Sequence, residues 1–237
     1  MMNKKIKKIL LKKNKTKIVS LTSYSKSVSK ILDKYIDIVL VGDSMANVLY
    51  GHKNTHKISL ENIVQHTASV KMGIKKSLLV VDMPKGTYNN IKSAEKNVKS
   101  VIKKTGCDAI KIESNKKNYK IIEHLTKKKI PVMGHIGFTP QFKKKFRIEG
   151  QTNEEISRLL REALLIEKSG AFSIVLECLS PKAAKLITKK INIPTIGIGS
   201  SLFCDGQILV TDDMLGLSGF YPKFVKKYAN LNRIIEK

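Results

Sequence analysis

Four acidic residues each follow a short apolar run: Asp43 after Ile38-Val39-Leu40-Val41, Asp82 after Leu78-Leu79-Val80-Val81, Glu113 after Ala109-Ile110-Lys111-Ile112, and Glu177 after Ile174-Val175-Leu176. If those runs are parallel strands, the carboxylates converge on one rim of a barrel. Hard oxygen ligands gathered there suit a divalent cation and a carbanion reaction, the chemistry of a lyase or transferase. A single aspartate after a strand is more often a helix N-cap or a solvated loop residue, whereas acids after successive strands favour a shared site. Lys111 lies between Ile110 and Ile112, so strand alternation turns it to the opposite face, inward if those isoleucines pack beneath helices. His135 ends another apolar run, where imidazole suits proton transfer and a packed, hydrogen-bonded histidine fits equally well. His52, His56, His66 and His124 form no HExxH or comparable ligand set.

The elements that would carry these residues repeat as a strand followed by a helix, about every 25 residues. Strands are expected at 17–21, 37–41, 77–81, 108–112, 131–136, 172–176 and 194–198, with an eighth near 207–210. Helices are expected at 25–34, 59–72, 90–104, 116–128, 153–168 and 181–190, and a final one near 222–229. Ser59 is a candidate N-cap, with Ile63, His66, Thr67 and Val70 on one helical face. Continuous apolar runs alternating with amphipathic helices imply parallel strands covered by helices. The length, 237 residues, suits one (β/α)8 TIM barrel spanning 1–237, with no second domain. A doubly wound open sheet is the alternative, but no GxGxxG opens a helix after the first strand. The basic opening, about 4–13, reads as a helix covering the barrel bottom or as a membrane-surface helix.

A net charge of +26 invites a nucleic-acid reading, which the distribution opposes. Lysines are spread over nearly every expected helix and loop, arginine is confined to Arg147, Arg158, Arg161 and Arg233, and no arginine–aromatic stripe appears. Charge of this size instead favours anionic ligands through long-range attraction. Cys107, Cys178 and Cys204 form no CxxC pair and leave an odd thiol, so a reducing cytoplasm is expected. No stretch approaches the roughly 20 apolar residues of a membrane span, and no apolar leader region is present, so no membrane partner is expected.

A family resemblance rests on Val41-Gly42-Asp43-Ser44, Gly51-His52, His66-Thr67, Val81-Asp82-Met83-Pro84, Ile110-Lys111-Ile112-Glu113, Gly134-His135-Ile136-Gly137-Phe138-Thr139-Pro140-Gln141, Leu176-Glu177-Cys178, Ile196-Gly197-Ile198-Gly199 and Asp205-Gly206-Gln207. In order and spacing these resemble the ketopantoate (3-methyl-2-oxobutanoate) hydroxymethyltransferase family, over about residues 17–228. More distantly the chain is similar to the phosphoenolpyruvate mutase and isocitrate lyase barrels.

The resemblance implies transfer of a one-carbon unit from 5,10-methylenetetrahydrofolate to 3-methyl-2-oxobutanoate through a magnesium-stabilised enolate. The product, 2-dehydropantoate, feeds pantothenate and coenzyme A synthesis. It further implies Asp43 and Asp82 as Mg2+ ligands, Glu113 near the ion or one of its waters, and Lys111 and Ser44 on the substrate carboxylate. Glu177 matches the proposed general acid or base, with His135 its rival. A homo-oligomer, decameric in many relatives, is implied too. A metal-dependent lyase acting on another 2-oxo acid and a noncatalytic basic binding protein are the alternatives. Three departures from the family pattern bear on the folate side: Ala46 where glycine is usual, Lys85 in place of an aromatic or apolar residue, and a lysine-rich segment at 142–148.

Overall fold

The computed structural model describes residues 3–115, 118–143, 145–219 and 221–237. In chain order the elements are α1 (Lys4–Leu11), β1 (Ile18–Thr22), α2 (Lys26–Leu32), β2 (Ile38–Val41), α3 (Met45–Val48), α4 (Leu60–Lys71), β3 (Leu78–Asp82), α5 (Ile91–Thr105) and β4 (Ala109–Glu113). They continue with α6 (Tyr119–Lys127), β5 (Val132–Gly137), α7 (Asn153–Lys168), β6 (Ser173–Glu177), α8 (Pro181–Lys190), β7 (Thr195–Ile198), β8 (Gly206–Leu209), α9 (Thr211–Met214) and α10 (Leu231–Ile235). The strands are parallel and close in sequence order, β8 pairing with β1, which makes the (β/α)8 barrel.

Local chemistry sets the helix boundaries. Ser59 caps α4 in a reciprocal box with Asn62, and Asn90 does the same for α5 with Ser93, satisfying N–H groups that the first turn leaves free. Gly106, with φ of +63°, ends α5 in the left-handed conformation that glycine adopts without strain. Thr152 caps α7 while Glu154 and Glu155 sit in its first turn, where carboxylates complement the helix dipole.

Two cores follow from strand alternation. Outward residues such as Val39, Val41, Leu79, Val81, Ile110, Ile112, Ile174 and Leu176 pack beneath the helices. Inward residues, among them Ile18, Ile38, Leu40, Leu78, Val80, Met133 and Val175, fill the barrel. α1 closes the bottom: Ile6 and Ile9 join the inward cluster. Lysines in it and just beyond it meet acids at the N-terminal ends of strands, Lys5 with Asp108 at 3.1 Å, Lys12 with Asp37 at 2.7 Å and Lys13 with Asp205 at 2.8 Å. Among the described residues no helix is long and apolar enough to cross a membrane.

The end of the chain departs from expectation. No regular helix lies between β7 and β8 among the described residues, and the helix expected at 222–229 is absent; α10 starts at Leu231. Residues 221–230 instead run across the barrel mouth, because their backbone groups pair with the segment around α9: Tyr228 N–H with Met214 O at 2.9 Å and Leu231 N–H with Leu215 O at 3.0 Å. Phe224 and Val225 line the cavity at that mouth. The expected helix at 116–128 begins at Tyr119, and its first two positions lie outside the described residues.

Candidate active site

The C-terminal ends of the strands surround a cavity of about 500 Å³. Register brings the acids together there. Asp82 on β3 pairs with Lys111 on β4, Glu113 on β4 with His135 on β5, and Gly137 on β5 with Glu177 on β6. Asp43 and Ser44 lie just past β2, between that strand and α3. All of the expected site residues, Asp43, Ser44, Asp82, Lys111, Glu113, His135 and Glu177, line this one cavity.

Lys111 points inward and is 5% exposed, with Nζ 2.6 Å from Asp82 Oδ1. The other Asp82 oxygen accepts the backbone N–H of Asp43 at 3.1 Å, tying the two acids to one another. Burial alone would pull the Lys111 ammonium down; the carboxylates of Asp82, Asp43 and Glu113 outweigh it and hold the group above its ordinary value. Burial pushes Asp43 up to about 7, and the neighbouring Asp82 charge adds to the shift. Glu113 lies well above the carboxylate range for the same reasons, burial first and the Asp43 charge next.

Glu177 is raised by burial to about 8. His135 is held well below its ordinary value, first by burial and then by the Lys111 charge, so its ring stays neutral. Its Nε2 is 3.1 Å from Glu177 Oε2 and its Nδ1 is 3.8 Å from Glu113 Oε1, yet neither ring nitrogen has a hydrogen bond of proper geometry. Glu113 Oε1 is likewise buried without a partner. Native proteins rarely leave buried polar atoms unpaired, and this cluster has the character of a site awaiting a ligand.

Gly137 explains part of the GHIGFTPQ motif. Its φ is +93°, and a Cβ there would lie 2.1 Å from the Glu177 carbonyl oxygen, so only glycine lets the two strand ends close up. Phe138 N–H then bonds Glu177 O at 2.9 Å. Sequence reasoning left three buried partners unassigned. Gln141 bridges the acids, Tyr88 donates to Gln141 at 2.5 Å, and Tyr24 shares a 2.8 Å hydroxyl contact with Ser44. Gln141 stood in a recognised motif, whereas neither tyrosine has a spacing that would single it out.

Comparison with known proteins decides the family. The family model for ketopantoate hydroxymethyltransferase matches residues 3–237. The chain belongs to that family. A 3-methyl-2-oxobutanoate hydroxymethyltransferase of Pelagibacter ubique is 53% identical over 234 residues, covering 99% of this chain and 91% of the relative. One from Pyrococcus abyssi is 45% identical over 231 residues, covering 95% and 81%. Among solved structures, phosphoenolpyruvate phosphomutase from Streptomyces platensis subsp. rosaceus superposes with a TM-score of 0.67 at 10% identity, covering 87% of this chain and 80% of that one. A 2,3-dimethylmalate lyase gives 0.66 at 12% identity, covering 100% and 82%. At such identity these two show the barrel fold alone.

The departures from the ketopantoate hydroxymethyltransferase family pattern fall in different surroundings. Lys85 is exposed and sits 3.3 Å from His56 Nδ1. Phe146, in the lysine-rich segment, lines the cavity edge-on to Phe138, with ring centroids 5.1 Å apart. Ala46 is fully buried in the outer core.

Proposed function

We propose that this enzyme transfers a hydroxymethyl group from 5,10-methylenetetrahydrofolate to 3-methyl-2-oxobutanoate, giving 2-dehydropantoate for pantothenate and coenzyme A synthesis in the cytoplasm. The carrying observation is the buried Asp43–Asp82–Lys111 cluster beside the unpaired Glu113 Oε1 and His135 ring. In balance, both methylene–nitrogen bonds to folate break: one is replaced by a bond to C3 of the 2-oxo acid and the other by a hydroxyl from water, while the proton lost from C3 and the second proton of the water end on the two folate nitrogens.

Asp43 and Asp82 fit a magnesium ion, which needs few protein carboxylates because it keeps waters. Glu113, buried beside them, would stand near the ion or on one of its waters. Asp43 near 7 beside the charge of Asp82 is a further mark of fit, since a cation relieves the repulsion between them. A magnesium ion held by Asp43 and Asp82 would supply positive charge to offset the negative charge that develops on the keto oxygen.

This chain's own residues do the rest. Lys111 gives the substrate carboxylate a charge, and Ser44, aligned by Tyr24, gives it a directional hydrogen bond. Glu177, once ionised, takes the proton from C3; the neutral His135 ring beside it is the rival for that role.

The test is turnover of 3-methyl-2-oxobutanoate with methylenetetrahydrofolate, followed by proton NMR, alongside deuterium exchange at C3 without folate. Exchange with turnover is expected. Absence of both, with cleavage of another 2-oxo acid, would replace this reading by a lyase. We further propose a homo-oligomer, in keeping with the family resemblance and with apolar side chains such as Leu202 at 86% exposure. Sedimentation velocity should show a species several times the 26.6 kDa chain, and a monomer throughout would refute it.

A further inference from the structure

Gln141 makes contact with two of the site acids through two different groups. Its backbone N–H donates to Glu113 Oε2 at 3.0 Å, and its side-chain Nε2 donates to Asp43 Oδ2 at 2.9 Å and to the Met83 carbonyl at 3.1 Å. The amide oxygen accepts from the Tyr88 hydroxyl. Gln141 and Tyr88 are 1% and 3% exposed, so no bulk water can substitute for these bonds.

The amide cannot turn over without cost. Flipped, its oxygen would face two acceptors, the Asp43 carboxylate and the Met83 carbonyl, while its nitrogen faced the tyrosine. A buried acceptor set against an acceptor loses a bond and gains repulsion. The two acceptors therefore fix the sense of the amide, Tyr88 supplies the donor that its oxygen needs, and the amide holds Asp43.

The consequence lies in the oxygens that are left over. Asp43 Oδ1 takes no hydrogen bond from the described residues, and Glu113 Oε1 is buried without a partner. One residue thus occupies one oxygen of each acid and leaves the other free on two separate strand ends. We propose that Gln141, held between Tyr88 and the Met83 carbonyl, is a positioning residue that selects which oxygen of Asp43 and of Glu113 faces the ligand in the barrel mouth. Such a clamp fixes carboxylate rotation before anything binds, and spares the ordering cost at the moment of binding.

This rests on the proposed function for the identity of the ligand but not for the geometry, and the test separates the two. Gln141→Met keeps the length and loses all three amide contacts while retaining the backbone N–H on Glu113; Tyr88→Phe keeps the ring and removes the donor to the amide oxygen. Manganese binding to the protein alone, read by electron paramagnetic resonance, should weaken about tenfold or more in Gln141→Met and by a smaller factor in Tyr88→Phe. Deuterium exchange at C3 of the 2-oxo acid should slow in the same order. A crystal structure of Gln141→Met should show a displaced Asp43 carboxylate. Lower thermal midpoints with wild-type manganese affinity and exchange would make Gln141 a structural residue and overturn the proposal, as would an unmoved Asp43 carboxylate. If the wild-type protein itself binds no manganese, the metal reading fails, and the clamp is then judged by exchange and by the crystal structure.

Discussion

Lys111 keeps its charge inside the barrel because Asp82 touches it and Asp43 and Glu113 lie close. Removing one member of a buried ion pair leaves the other uncompensated, at a cost of roughly 3–5 kcal/mol. Lys111→Met should therefore lower stability by about that amount as well as abolish turnover, and adding Asp82→Asn should restore much of the stability without restoring turnover. Urea denaturation of the single and double variants checks this; a Lys111→Met protein as stable as wild type would mean that the pair does not hold the barrel mouth together. Glu177 has a different role. With its carboxyl near 8, the ionised form that accepts a proton is depleted below that pH. Exchange at C3 should accordingly rise with pH along a limb whose midpoint is at or below about 8, a bound cation drawing it downward. Glu177→Gln should lose about 10² to 10⁴ in exchange rate together with that limb. A retained limb in the variant would move the proton transfer to His135 or to a water beside Glu113.

The elements that present these residues were legible where a pattern repeats. Four-residue apolar runs with one buried lysine between isoleucines announced β4 and the inward face of Lys111, since alternation in a strand leaves no other choice once both isoleucines pack outward. Capping chemistry at Ser59 placed the start of α4 within a residue, and the helical ranges read for α7 and α8 also hold. What was not legible has no period: the 221–230 crossing of the mouth, held by bonds to α9, and the Tyr88–Gln141 contact across 53 positions. Asp33 belongs to the same silent class. At the end of α2 it accepts N–H bonds from Lys76 at 2.9 Å and Ser77 at 2.8 Å, fastening the helix to the start of β3. Burial would raise its carboxyl, but the backbone donors at Ser77, Lys76 and Lys75 outweigh it and hold it below its usual value. A depressed folded-state value means that its stabilisation is complete above the unfolded pKa, about 3.9, and fades as pH falls through the folded one. Asp33→Asn should cost about 1–3 kcal/mol at pH 7, and the gap to wild type should shrink below about pH 4. Thermal melts at pH 7 and pH 3 decide it, an equal gap at both showing that the charge is irrelevant.

For the molecule as a whole, the charge of +26 is divided between structure and field. Lys5, Lys12 and Lys13 are used at the barrel bottom, each paired with an acid at a strand start, so that end carries less free charge than its sequence suggests. Most of the remaining lysines are exposed, and Lys53 lines the cavity itself. The substrate proposed for that cavity is a monoanion, and folate is anionic as well, so both approach through an attractive potential that reaches about 30 Å at 0.01 M salt and about 8 Å at 0.15 M. Once bound, the 2-oxo acid meets Lys111 in a dry pocket where salt screens little. Raising potassium chloride from about 0.01 to 0.3 M should therefore lower kcat/KM several-fold, mainly through KM, and leave kcat nearly flat. Steady-state kinetics at fixed pH and magnesium concentration test this. A kcat that falls in step with kcat/KM would place the salt effect on the chemistry or the assembly, and a flat kcat/KM would show that the surface lysines do nothing for capture.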